Sequence, residues 1–324
     1  MIDFRYHLVS IIAIFLALAV GIVLGTTTLN GTALHNIQSQ VKRLSSDKTA
    51  QRQQIDALHA QVKDAESFIG ATEPTLTANA LNGQRVAVIT APETPGNIRT
   101  SLLTSLQHAG AVVTNDIRLS NAFTDPKQSA ALDDLATRLV VPGSLPAKAT
   151  GASLAAAELA QVLVTKPGAK PAGQDAISTT LAGFQQGSFL TVAGTPGGPA
   201  SLAVVLVPPA PRTPTDGTKQ AGQLMSDLAA SFGSRAAATL VAGPAAAAAP
   251  GGMLSIVRQD RAATRVASSV DTLEAPAGRV AAVLALRGAL SGRLGAYGFG
   301  TGASGPLPAS PSPTPAATPS TTAR

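Results

Sequence analysis

A chain of 324 residues with no cysteine, 45% hydrophobic but only 3% aromatic residues and a formal charge of +6 excludes several function classes at once. Without thiols there are no disulfides, no thiolate metal sites and no lipid attached through cysteine. Lys and Arg do not cluster and aromatics are scarce, so nothing marks a nucleic-acid binder, and the core must be built from Ala, Val, Leu and Ile.

In chain order, the first element is a membrane anchor over residues 1–30. No charge occurs between Arg5 and Lys42, and Leu8–Leu24 is almost wholly apolar. At a rise of ~1.5 Å per residue, about 20 such residues cross a hydrocarbon core, and the run extended to Leu29 is long enough. Phe4 and Tyr6 precede the span, where amphipathic rings favour the membrane–water boundary. Gly21 and Gly25 form a GxxxG spacing that lets a second helix approach closely. Ala17-Leu18-Ala19 offers a signal-peptidase site, but the apolar run continues through Val20–Leu24, so an uncleaved anchor in the lipid bilayer is expected. Positive charges lie on both sides, Arg5 before the span and Lys42, Arg43, Lys48 and Arg52 after it, and do not by themselves export the C-terminus.

Residues 31–72 follow as a stalk. Leu34, Val41, Lys48, Ile55, Val62 and Ile69 recur every seven residues, and Ile37, Leu44, Gln51, Leu58 and Ala65 interleave. Only Lys48 and Gln51 interrupt an apolar seam with the 3.5-residue period of a coiled coil, so a homo-oligomer through this helix is expected. Ala71–Leu81, with Pro74, reads as a hinge.

Residues 82–302 read as an open, mostly parallel α/β domain of one or two sub-domains. Arg85–Thr90 is a strand, Ile98–Ala109 a helix closed by Gly110, and Ala111–Leu119 a second strand, a βαβ signal. Gln128–Leu139, Leu154–Thr165 and Ala176–Gln185 have helical patterns, and Phe189–Ala193 that of a strand. Leu202–Val207 is the clearest buried strand, continuously apolar and β-branched. After a proline-rich loop come a helix over Lys219–Phe232, strands at Thr239–Ala242 and Met253–Val257, and a helix over Val280–Leu294. From residue 303 to 324 the chain is nearly all Pro, Ser, Thr and Ala and reads as a disordered tail.

No catalytic constellation emerges, so an enzyme is not expected. His7, His35, His59 and His108 lack ligand-spaced partners, and Met1, Met225 and Met253 do not form a soft sulfur cluster for cuprous ion. Metal ligands are therefore unassigned and no cofactor is expected. Gly300–Gly305 matches GxGxxG literally but follows a helix rather than a strand, and Ala91-Pro92-Glu93-Thr94-Pro95-Gly96 holds no phosphate cradle. Asp125, Asp133 and Asp134 suit helix starts; Glu93, Asp260 and Glu274 stand alone.

The opening FRYHLVSIIAIFLALAVGIVLG, the heptads after it, NGQRVAVIT (82–90) and SSVDTLEAPAGRVAAVLALRGALSGRLGAYG (268–298) together resemble the actinobacterial copper transport protein (MctB) family over about residues 1–300. The resemblance implies a cell-envelope protein with one N-terminal membrane helix, a body outside the cytoplasm, and a part in keeping intracellular copper low, with copper as a transported ion. One span cannot enclose a pore and the body lacks the alternation of a membrane barrel, so conduction would require an oligomer or a partner. The other reading of the residues is a non-enzymatic coiled-coil scaffold that recruits or activates a cell-envelope protein in wall remodelling or cell separation.

Overall fold

The computed structural model describes residues 4–139 and 152–308, without the side chains of residues 4, 5 and 27–34. The chain forms two compact units, Met1–Ala65 and Glu66–Arg324. Helix α1 (Phe4–Thr77) supplies the first unit and the opening turns of the second. Within it, Tyr6–Thr26 has a mean hydropathy of 2.9 and is long and apolar enough to cross a membrane. Among the described residues nothing outside the helix backbone lies within 4 Å of a Cβ placed on Gly21 or Gly25, and the seam side chains Ile37, Val41, Leu44, Ile55, Leu58 and Val62 are exposed, as is Ala65. The side chain of Leu34 lies outside the described residues.

The hinge expected at Ala71–Leu81 is instead helix as far as Thr77, with Pro74 inside it. The proline lacks an amide and would ordinarily break the helix. Packing overrides it here, because Glu73 and Thr77 are buried in the second unit. The chain leaves the helix through a turn, and the Leu81 amide donates to the Ala109 carbonyl.

The second unit is built on a seven-stranded sheet in the order β3-β2-β1-β4-β5-β6-β7, comprising β1 (Arg85–Thr90), β2 (Val112–Leu119), β3 (Leu190–Val192), β4 (Leu202–Leu206), β5 (Ala238–Ala242), β6 (Ser268–Val270) and β7 (Ala296–Tyr297). Every pairing is parallel except β2 with β3. Parallel strands covered on both faces need apolar residues at successive positions. In β1, Ala87 and Ile89 enter one core while Val86 and Val88 enter the other. In β4, Ala203 and Val205 oppose Leu202, Val204 and Leu206 in the same way.

Helices α2 (Gly96–His108) and α10 (Pro276–Leu290) cover one face. The other is covered by α4 (Ser129–Leu139), α5 (Ala152–Leu163), α6 (Gln174–Gln186), α7 (Asp216–Arg235) and α8 (Met253–Gln259), with the short α3 (Asn121–Thr124) and α9 (Arg261–Thr264) beside them. Almost every residue of α5 is buried, as expected of a helix apolar all round. Gly110 ends α2 at φ 84°, a left-handed position where a Cβ is unfavourable.

Two further expectations are corrected. Met253–Val257 is the start of α8, not a strand: after Gly252 at the N-cap, Leu254 and Val257 turn to the core at helical spacing. The strand at that place in the sheet is β6, whose Ser-Ser-Val carries no apolar run. Residues 303–308 are ordered against the sheet edge, the Ser304 amide donating to the Ala296 carbonyl and Gly305 bridging to Tyr297. The rest of the expected tail, 309–324, lies outside the described residues.

Candidate functional site

In an open parallel sheet a ligand crevice forms beyond the carboxyl ends of the strands where the winding reverses. Here β1 leads through α2 to β2 on one side, and β4 leads through α7 to β5 on the other. The reversal falls between β1 and β4. At that point lies a crevice of about 310 Å³, walled by Pro92, Glu93, Asn121, Thr124, Pro126, Pro208, Thr215, Gly217, Thr218, Ala221 and Met253. Its size is at the small end of ligand sites.

The turn from β1 into α2 sets its chemistry. Glu93 sits at φ 63°, a conformation that costs a non-glycine residue about 1–2 kcal/mol. Thr90 and Thr94 flank it with buried hydroxyls that lack a hydrogen-bond partner among the described residues. On the opposite wall the capping box of α7 uses Thr215 and Thr218 reciprocally, each hydroxyl accepting the other's amide. That satisfies amides an anion would otherwise seek, and the Glu93 carboxylate repels one. The crevice therefore suits a small cationic or neutral group, with a thioether from Met253 as the one soft donor on its wall.

Arg99 of α2 pairs with Asp116 of β2 at 2.7 Å, and two further ion pairs brace the rest of the body. Asp271, 0% exposed, follows β6 and faces Arg258 of α8, 3% exposed, at 3.0 Å. Its oxygens accept the Phe299 and Gly300 amides, each at 2.9 Å, and the Thr272 hydroxyl at 2.8 Å. Arg258 also donates to Ser269 Oγ and to the Thr301 and Tyr297 carbonyls. Burial pushes the Asp271 carboxyl up, but the Phe299 amide, the Thr272 hydroxyl, the Gly300 amide and Arg258 together hold it below the ordinary range. Gly298-Phe299-Gly300, where the GxGxxG run begins, is thus a clasp around this carboxylate: a Cβ on Gly298 or Gly300 would strike Asp271.

The second pair joins Glu73 of α1 to Arg279 of α10 at 2.9 Å, with the Ser105 hydroxyl also donating to Glu73. These residues, with Ser101, Thr104 and His108, border a polar pocket of about 240 Å³. Replacing Glu73 by Gln strands the Arg279 charge, and urea unfolding of the full chain in detergent should show a loss of about 2 kcal/mol, less than for a fully buried pair.

The histidines stay apart. His108 ends α2, while His7, His35 and His59 are exposed on α1. Among the described residues no three His, Asp or Glu gather to hold a metal. Asp125 caps the turn Pro126–Gln128 through the Lys127 amide, and Asp134 pairs with Arg138. Asp260 and Glu274 are not isolated: Asp260 accepts from Ser226 at 2.6 Å, and Glu274 from the Ala245 amide at 3.1 Å. The Ser226 hydrogen bond is the main reason the Asp260 carboxyl lies below its ordinary value.

Anchor-length helix, parallel sheet and clasp belong to one continuous stretch, and a family model described as "Copper transport outer membrane protein, MctB" matches residues 1–308. The chain belongs to the MctB family. The protein named copper transporter MctB of Mycobacterium tuberculosis (strain ATCC 25618 / H37Rv) is 28% identical over 310 residues, covering 94% of this chain and 98% of its own. Its counterpart from Mycobacterium leprae (strain TN) is 27% identical over 313 residues, with the same coverage. Family and apolar helix together make the chain a membrane protein.

Proposed function

We propose that this chain is a membrane-anchored component of copper transport in the cell envelope, acting to remove copper from the cell. The observation that carries the reading is the extent of the family match: anchor, helix and body, residues 1–308, fall within one copper transport model. Both relatives named copper transporter MctB are matched over 98% of their length. Transport, not catalysis, is the activity those names support.

The physical chemistry shapes how such a chain could work. A single helix satisfies its own backbone but lines no path through a bilayer, so the transporting unit is an assembly. The heptad seam, exposed along the stalk, is the means of assembly, and the GxxxG face of Gly21 and Gly25 adds close packing within the membrane. The body stands outside the cytoplasm, the side to which copper is delivered. There the switch-point crevice, with its carboxylate and thioether, receives cationic cargo.

Cellular copper content tests this reading. Deleting the gene should raise it, and the full chain should restore it. A version lacking 34–69 should restore less, because it cannot assemble. Copper unchanged by deletion, with chained or misdivided cells instead, would replace transport with the scaffold reading.

A further inference from the structure

We propose that a second copy of this chain docks on the face of the globular unit formed by the last turns of α1 and the apolar groove beside them. The inference rests on the reading of the stalk as a self-associating helix and extends it onto the body. The groove, about 220 Å³, has walls that are almost entirely carbon, contributed by Ile69, Leu76, Val280, Ala281, Phe299 and Leu307. Leu76, Phe299 and Leu307 are 56%, 75% and 47% exposed. Large apolar side chains left in water around one concavity mark an interaction surface.

What covers that surface follows from the register of the heptads. Counting by sevens from Leu34 through Val41, Lys48, Ile55 and Val62 reaches Ile69, and the next step is Leu76. These two residues are the ones α1 contributes to the groove. The same turns pack on the body through the strip of helix next to this stripe: Glu73 and Thr77 are buried, and Gly70 lies 3.5 Å from Pro276 as measured from its ideal Cβ position. Packing thus leaves Leu76 exposed and Ile69 half-buried at the rim of the groove.

Two chains anchored by their N-termini in one membrane pair in parallel, like residue beside like. A two-fold axis beside Ile69 and Leu76 then sets the two grooves face to face, with Phe299 of each copy directed at the other, an isologous contact. Tethering to one surface raises the effective concentration for such pairing. The chain's own segment 309–324 is a poor occupant, because it contains only Ala, Pro, Ser, Thr and Arg.

The absence of cysteine provides a clean test on the full chain in membrane vesicles. Leu58→Cys reports on the stalk and Leu76→Cys on the groove, each read as disulfide-linked dimer after treatment with a thiol oxidant. Both should cross-link. Adding Phe299→Asp to the Leu76→Cys chain should lower its dimer about tenfold or more, as for a central aromatic anchor, while the same change leaves the Leu58→Cys dimer intact. Linkage at position 58 without linkage at 76 would overturn the groove proposal and keep the paired stalk. Linkage at 76 alone would keep the groove and overturn the stalk. Linkage at neither, or a position 76 that is unlinked yet shielded from a water-soluble maleimide, would overturn second-copy docking and assign the groove to lipid or another protein.

Discussion

Asp271→Asn is expected to destabilise the globular unit by about 3–5 kcal/mol, the cost of leaving a buried arginine without its counter-charge. The substitution is nearly isosteric, so loss of packing contributes little. What changes is electrostatic: Arg258, 3% exposed, loses the carboxylate 3.0 Å away. The Asn amide group also turns a donor toward a site crowded with donors, the Phe299 and Gly300 amides and the Thr272 hydroxyl. Urea unfolding of the full chain in detergent, followed by circular dichroism, measures the loss.

Its pH dependence is equally specific. Because the folded-state carboxyl is held below its ordinary value, its contribution is present above about pH 4 and disappears as pH falls through the folded pKa. Asp260 acts with the same sign. Asp116 acts oppositely: burial pushes it up, only partly offset by Arg99 and Arg118, so its contribution is lost as pH rises through its folded pKa. In Asp271→Asn the acid-side loss should therefore be smaller than in the parent. An unchanged acid profile would contradict the role of the clasp.

Gly278→Ala is expected to destabilise by about 3 kcal/mol or more, at or beyond the usual range for overpacking. Helix propensity alone argues the reverse, since Ala is better than Gly by about 0.8–1.0 kcal/mol in a helix interior. The collision decides the sign. A Cβ at this position falls 2.0 Å from the Thr272 carbonyl oxygen, 2.4 Å from its carbon and 3.0 Å from the Leu273 nitrogen. All three are backbone atoms, and none can swing aside. Gly288 in the same helix is the control, because its Cβ would meet nothing closer than 3.5 Å. Gly288→Ala should leave stability unchanged or raise it by up to about 1 kcal/mol. If both variants behaved alike, the close approach of α10 to the turn after β6 would be wrong.

These two sites also show where sequence reading stops. The strands β1 and β4, the α2 helix with its terminal glycine, and the membrane-length helix are legible because each writes its burial into a local run. Ser268-Ser269-Val270 and Ala296-Tyr297 write none, being short strands toward one margin of the sheet. Met253–Val257 has the composition of a strand, and only the placement of Gly252 and the helical spacing of Leu254 and Val257 separate the two. Pro74 reads as a break because its neighbour Glu73 is held by Arg279, 206 residues further along the chain. Asp271 and Arg258 carry no motif at all. The glycines of 298–300 are the one local hint, visible as a run but interpretable only once the carboxylate they embrace is known.

The place of β1 has a mechanical consequence. It is the strand nearest in sequence to the membrane helix, yet it lies inside the sheet, bonded to β2 on one side and β4 on the other. Tension carried along α1 meets the Glu73–Arg279 pair first, and once that yields it is loaded along β1 and must shear both ladders together. The strands that could peel one bond at a time, β3 and β7, are at the margins and are not the first to take the load. A body tethered to a bilayer through this strand is thereby built to bear pull.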